Sequence, residues 1–285
     1  MALGKFGLAD NHIGPLSETA PPASDLGRLR NWAVCTMVEA RGKVFFHLED
    51  HLQRLKKSAT LAAIPFDQIE GFGSLSENLG ILVEKCGFEE SLVRIDISRG
   101  QTDDGFNPAA GAAPSLYAQV YRLKRKTGPV KLATRNFLRP LPEIKSPDYL
   151  FAEIACGRAG QSGFDDVLFT EDNKYILEAT RSNIGFFRTD GSFCVPPPDK
   201  ILEGITMKII CELIAKNNLC PRVVQAPIAY DSIAKKEIIG AILTSTTGVV
   251  PVSQIDNARF ENNLKINEIC SVFKDYREKY FADAK

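Results

Sequence analysis

Lys145 is the residue whose setting most invites chemistry. It lies in Arg139-Pro-Leu-Pro-Glu-Ile-Lys-Ser-Pro-Asp-Tyr149, between prolines at 140, 142 and 147. Proline fixes φ, so such a loop is stiff and aims its side chains. A lysine that acts as a nucleophile must be desolvated enough to be neutral part of the time; the bland alternative is a solvated loop lysine. Gly204-Ile205-Thr206 stands just before a helical stretch. Backbone amides and the Thr206 hydroxyl at a helix N-terminus make an anion site, although Thr206 also reads as an ordinary cap. Ser245 and Thr246 end a strand before Gly248, where they can donate hydrogen bonds to a phosphate. Arg54 sits on an amphipathic stretch; its guanidinium suits a phosphate held bidentately, or is a solvated face residue. His12, His47 and His51 have no metal-ligand spacing with cysteines or carboxylates, and read as structural or surface residues. Neither a G-x-S-x-G nor a Walker pattern occurs.

The elements that must position these residues follow from periodicity. Apolar Asn31–Ala40 and Val44–Phe46 flank Gly42 as a hairpin. Leu48, Leu52, Leu55, Ala59 and Ala62 recur at three or four, a helical stripe that Pro65 ends and that carries His51 and Arg54. A helix over about 74–86, a strand over 91–98, a Gly- and Pro-rich loop over 102–114 and a strand over 115–123 follow. The basic run Arg122–Lys126, closed by Gly128-Pro129, reads as a linker at 123–129 between a domain of residues 1–122 and one of 130–285. Beyond it come strands at 130–136, 166–170, 175–179, 184–188 and 238–245, with helices near 149–161 and 206–217. The start of the chain, with Pro and Gly over 14–22, reads as irregular.

Composition bounds the partners. With 285 residues, 44% hydrophobic, the chain can bury one or two cores. Its 35 basic and 35 acidic residues cancel, which argues against nucleic acid or an anionic membrane surface and for small molecules. Seven scattered cysteines form neither a disulfide framework nor a zinc site, so no metal is expected, and they read as thiols in a reducing compartment. No apolar run approaches the roughly 20 residues that span a bilayer. The first residues lack a basic segment followed by an apolar core, so a cytoplasmic protein is expected.

Phe46-His-Leu-Glu-Asp-His-Leu-Gln-Arg-Leu55 with Ser58-Ala59, Lys145–Leu150, Ile176-Leu-Glu-Ala-Thr-Arg-Ser-Asn-Ile184, Ile201-Leu-Glu-Gly-Ile-Thr206 and Thr244-Ser-Thr-Thr-Gly-Val-Val-Pro-Val252 occur in that order. Together they resemble the motifs of the class IV aminotransferases over almost the whole chain, although Pro147-Asp148 replaces the more usual Leu-Asn. The resemblance implies an α/β fold of two domains, the fold type IV of pyridoxal-phosphate enzymes, with the cofactor between the domains. It implies that Lys145 is the Schiff-base partner of pyridoxal 5'-phosphate and then the base that moves the substrate proton. Arg54, Ser182, Asn183, Gly204, Ile205, Thr206, Ser245 and Thr246 would bind the cofactor, and Tyr149 its ring hydroxyl. Glu178 would keep the pyridine nitrogen protonated, so that the ring accepts electrons; otherwise it is a strand-end glutamate in an ion pair.

Substrate choice is where the chain departs from the common pattern. The family's G-D-G-x-F/Y-E element falls near Arg30–Thr36, without its glycines and glutamate, and Asp103-Asp104-Gly105 stands where better-known D-amino acid aminotransferases bind the substrate carboxylate. Ser24-Asp-Leu-Gly-Arg-Leu-Arg30 resembles a segment of a divergent D-amino acid aminotransferase branch, in which an arginine reaches across a homodimer interface. Arg30 with Arg94 would suit a dicarboxylate; Arg94 in a structural ion pair is the alternative. Thr36, Arg181 and Thr247 complete the expected substrate contacts. The expected reaction is transamination between a D-amino acid, such as D-glutamate or D-alanine, and 2-oxoglutarate. Aminodeoxychorismate lyase, which Ile97-Ser-Arg-Gly100 with Gly105-Phe106 resembles, and branched-chain aminotransferase are the rival readings.

Overall fold

The computed structural model describes residues 2–261 and 263–284. Contacts divide the chain into two compact units. The first runs to Lys124 and takes back Ile144–Asp148 and the segment from Tyr280; the second is Arg125–Glu143 with Tyr149–Lys279. The sequence reading runs the second domain unbroken from residue 130. Lys145 instead belongs to the first unit, because the side chain before it, Ile144, is buried in that unit's core.

In the first unit the strands are β1 (Leu3–Ala9), β2 (His12–Pro15), β3 (Ala33–Arg41), β4 (Val44–Phe45), β5 (Glu90–Ser98) and β6 (Ser115–Arg122). They form an antiparallel sheet in the order β2-β1-β6-β5-β3-β4. Alternate residues Val34 and Val38 of β3 and Val93, Ile95 and Ile97 of β5 enter the core, as the two-residue period of a half-covered sheet requires. Helices α1 (Leu26–Arg30), α2 (Leu48–Leu61) and α3 (Leu75–Cys86) belong to the same unit. α2 buries His51, Leu55, Ser58 and Ala59, one stripe at helical spacing. Gly87, at φ 68°, closes α3 by donating its N–H to Val83 O and Glu84 O.

The second unit holds β7 (Val130–Asn136), α4 (Leu150–Gln161), β8 (Asp166–Glu171), β9 (Tyr175–Ala179), β10 (Asn183–Arg188), β11 (Phe193–Val195), α5 (Ile205–Lys216), β12 (Val223–Gln225), β13 (Ile228–Ala229), α6 (Asp231–Ala234), β14 (Ile238–Ser245), β15 (Gly248–Ile255) and β16 (Ala258–Arg259). Its sheet runs β12-β11-β10-β14-β15-β7-β8-β9-β13, with β16 on β15. The parallel neighbours β7–β8 and β11–β12 are joined in sequence by segments containing α4 and α5, the crossovers that parallel pairing needs.

α7 (Leu264–Asp283) and the β1–β2 hairpin have no counterpart in the sequence reading. In α7 the buried residues are Ile266, Ile269, Phe273, Arg277 and Phe281, a narrow stripe that includes an arginine, so its apolar signal is weak. Among the described residues no helix is long and apolar enough to cross a membrane.

Candidate active site

In the first unit, Lys145 is held by its backbone. Its N–H donates to Ser58 Oγ at 3.3 Å and its C=O accepts from Cys35 N–H at 2.8 Å. The loop thus lies against α2 on one side and along an edge of β3 that β4 covers only at Ala40 and Arg41. Arg54 and His51, one helical turn apart on α2, both reach Thr36 of β3. Arg54 Nη2 donates to Thr36 Oγ1 at 3.1 Å, and His51 Nδ1 lies 2.8 Å from the same oxygen. Thr36 and His51 are buried and Arg54 is half-buried. Burial pushes the His51 imidazole well below its usual range, and the charges on Arg54, Lys145 and His47 push it further. The ring is therefore neutral at pH 7. Burial raises the Cys35 thiol, with the Lys145 charge the strongest opposing influence, so Cys35 is a poor nucleophile.

The neutral ring has a measurable consequence. Unfolded, His51 takes up a proton below about pH 6.5; folded, it does not until well below that. The unfolded state then binds more protons, and stability falls as pH drops from about 6.5. Between pH 7 and 5 the melting temperature of the wild-type protein is expected to fall more steeply than that of His51→Gln; parallel curves would contradict this.

Arg94 and Arg30 occupy different settings. On β5, Arg94 Nε donates to both Asp96 oxygens at 3.0 and 2.8 Å, and Nη2 to Oδ1 at 2.7 Å, while its side chain stays 29% exposed. Arg30 is exposed at the end of α1, donating from Nε to Gly105 O at 2.8 Å, with Cζ 4.1 Å from the Phe106 ring centroid.

In the second unit, donors converge on Glu178 of β9, which is 6% exposed. Arg139 Nε donates to Oε1 at 2.8 Å; Asn183 Nδ2 and the Leu202 N–H donate to Oε2 at 3.3 and 3.2 Å. Every one of these partners donates, as an ionised carboxylate requires. Asn183 also donates to Leu202 O at 2.7 Å, which ties β10 to the segment leading into α5. Gly204 precedes that helix, and a Cβ there would stand 1.7 Å from Asn183 Oδ1, so close approach demands glycine. Asn183 pairs across the sheet with Thr244, and β14 then turns through Thr246 and Thr247, with Ser245 Oγ 3.0 Å from Thr247 Oγ1. The N-terminus of α5, with buried Ile205 and Thr206, and this hydroxyl-lined turn both lie beside Asn183. Amides and hydroxyls of that kind suit a phosphate dianion.

The remaining expected residues are spread more widely. Ser182 is buried and its C=O accepts from Ala179 N–H at 2.8 Å, closing the turn before β10. Arg181 is exposed and paired with Glu153. Tyr149 occupies the N-cap position of α4, packed against the cluster of Ala152, Ala155 and Phe169. No group of His, Cys, Asp and Glu among the described residues could hold a metal ion.

Residues 33–255 match the class IV amino-transferase family. The chain is a class IV aminotransferase. Among its relatives, a Methanocaldococcus jannaschii protein named "Putative branched-chain-amino-acid aminotransferase" is 27% identical over 271 residues, 90% of this aminotransferase and 91% of the relative. D-alanine aminotransferase of Bacillus licheniformis is 25% identical over 249 residues, 84% of each. Among solved structures, the branched-chain aminotransferase of Thermoproteus uzoniensis with norvaline has a TM-score of 0.85 at 19% identity, covering 98% of each chain, which establishes the common fold.

Class IV aminotransferases use pyridoxal phosphate, and the donor sets of this aminotransferase fit that group. A carboxylate ringed by donors suits a protonated ring nitrogen, and the crowded Gly204–Asn183 contact sets the start of α5, whose amides suit a phosphate, close beside Asn183. Arg139, His51 and Ser58 escaped the sequence reading as site residues. The signals available were the spacing of His51, Arg54 and Ser58 on one stripe, and an arginine opening the proline-rich run.

Proposed function

We propose that this aminotransferase transfers the amino group of a D-amino acid, D-alanine or D-glutamate, to 2-oxoglutarate. When bound, pyridoxal phosphate supplies the electron sink that makes the substrate α-proton removable. Lys145 anchors the cofactor and, once displaced, carries that proton at Nζ. Glu178 holds the ring nitrogen and Tyr149 the ring hydroxyl. Arg54, Ser182, Asn183, Thr206, Ser245, Thr246 and the backbone at Gly204–Ile205 hold the cofactor, largely through its phosphate. Thr36, Arg181 and Thr247 contribute to the substrate side.

Arg94 carries the substrate reading. Asp96 grips its guanidinium through Nε and Nη2, so the group is braced, and the part-exposed side chain presents Nη1 in a set direction. A pre-oriented guanidinium recognises a carboxylate with little ordering cost. Arg30, exposed beside Phe106, serves a second carboxylate from a partner copy in a homodimer. The likeness to the Bacillus D-alanine enzyme supports the same reading. All seven cysteines are free, which supports a reducing, cytoplasmic setting.

The test mixes holoenzyme with single amino acids, first alone to read the absorbance of the bound cofactor and then with 2-oxoglutarate to read turnover and KM. D-alanine and D-glutamate are expected to change the absorbance of the bound cofactor, and Arg94→Gln to raise their KM by about tenfold or more. Faster turnover of L-leucine or L-valine would establish the branched-chain reading, which the Methanocaldococcus relative's name favours. Pyruvate released from aminodeoxychorismate would mean the lyase.

A further inference from the structure

We infer that Arg139 is a positioning residue for the reaction, acting through Glu178; this rests on the reading that Glu178 meets the cofactor ring. Arg139 Nε donates to Glu178 Oε1 at 2.8 Å, and Nη2 donates to Pro142 O at 2.7 Å. The side chains are 20% and 8% exposed, so the pair is largely out of water. One planar group therefore ties β9, which carries the carboxylate, to the proline-rich run that leads into Lys145. The diverging donors of a guanidinium reach both acceptors at fixed angles; an ammonium is a point charge without that fork.

The amide donors to Glu178 are neutral. Asn183 Nδ2 and the Leu202 N–H take Oε2, and they fix its direction without supplying charge. Arg139 brings a positive charge to it. Removing that charge from beside a buried carboxylate favours uptake of a proton or a turn to another donor. Either response removes the fixed negative charge that Glu178 presents, and so alters the electronic state of a ring bound to it. Pro140 and Pro142 keep the run from yielding, so the acceptor for Nη2 stays in place.

The experiment uses holoenzyme of Arg139→Gln, Arg139→Lys, Glu178→Gln and the double variant, reading the absorbance maximum of the bound cofactor, kcat, KM and melting temperature. Arg139→Gln is expected to shift the maximum and to lower kcat by about tenfold or more, with KM little changed. Arg139→Lys should recover part of both, and Arg139→Gln with Glu178→Gln should be no worse than Glu178→Gln alone. A wild-type maximum and kcat in Arg139→Gln overturns the inference, provided Glu178→Gln alters them. If Glu178→Gln alters neither, the reading of Glu178 itself fails and takes the inference with it. Should Arg139→Gln not fold, Arg139→Lys decides: a shifted maximum with unchanged melting supports the positioning role, and a wild-type maximum and kcat overturn it.

Discussion

Lys145→Ala is expected to lower kcat by on the order of 10⁴-fold or more, because it removes both the cofactor's anchor and the amine that carries the substrate proton. The loss should be chemical and leave the fold intact. The contacts that set the loop are made by its backbone, with the N–H on Ser58 Oγ and the C=O receiving Cys35 N–H, and by Ile144 in the core. Alanine keeps all of these backbone contacts, so the variant should still fold to the native structure, as circular dichroism can check. The substitution also removes one of the charges that hold His51 neutral, so the His51 pKa should rise in the variant, a shift that NMR of the ring can follow. Borohydride reduction followed by peptide mass mapping supplies the direct check. In the wild-type protein the reduced cofactor should stay on the peptide containing Lys145, and in the variant on none. An adduct on a different lysine, or activity retained without Lys145, would remove the basis of the proposed function.

Gly204→Ala should be nearly as damaging for a different reason. The backbone at Gly204 has an ordinary φ of −82°, so the cost is one of space. The added methyl would stand 1.7 Å from Asn183 Oδ1. Asn183 cannot swing aside cheaply, since its Nδ2 already serves Glu178 and Leu202 O. Either the start of α5 moves outward or Asn183 gives up its bonds. Overpacking of this kind costs about 1–3 kcal/mol, and both responses disturb the amides proposed for the phosphate. The expected result is a lower melting temperature together with pyridoxal phosphate affinity reduced by about tenfold or more, measured by titration of the apoprotein. Unchanged affinity would detach the α5 N-terminus from cofactor binding.

Much of this enzyme is legible in its sequence because much of it is local. The stripe on α2, the helix at 75–86, the alternation of β5 and the turn at Gly42 each depend on neighbours within a few residues, and they lie where periodicity puts them. The ordered motifs around Arg54, Lys145, Glu178, Gly204 and Ser245 likewise suffice to place the chain in its family. Other features depend on partners far away in the chain. Arg139 meets Glu178 across 39 residues and His51 meets Thr36 across 15, and neither pairing leaves a periodic trace. Lys145 joins the first unit because Ile144 and the edge of β3 receive it, although the residues around it on both sides belong to the second. Spacing and chemistry along the chain thus decide which residues can react. Only tertiary burial, by bringing distant donors onto one carboxylate and stripping water from one imidazole, decides how their charges are set.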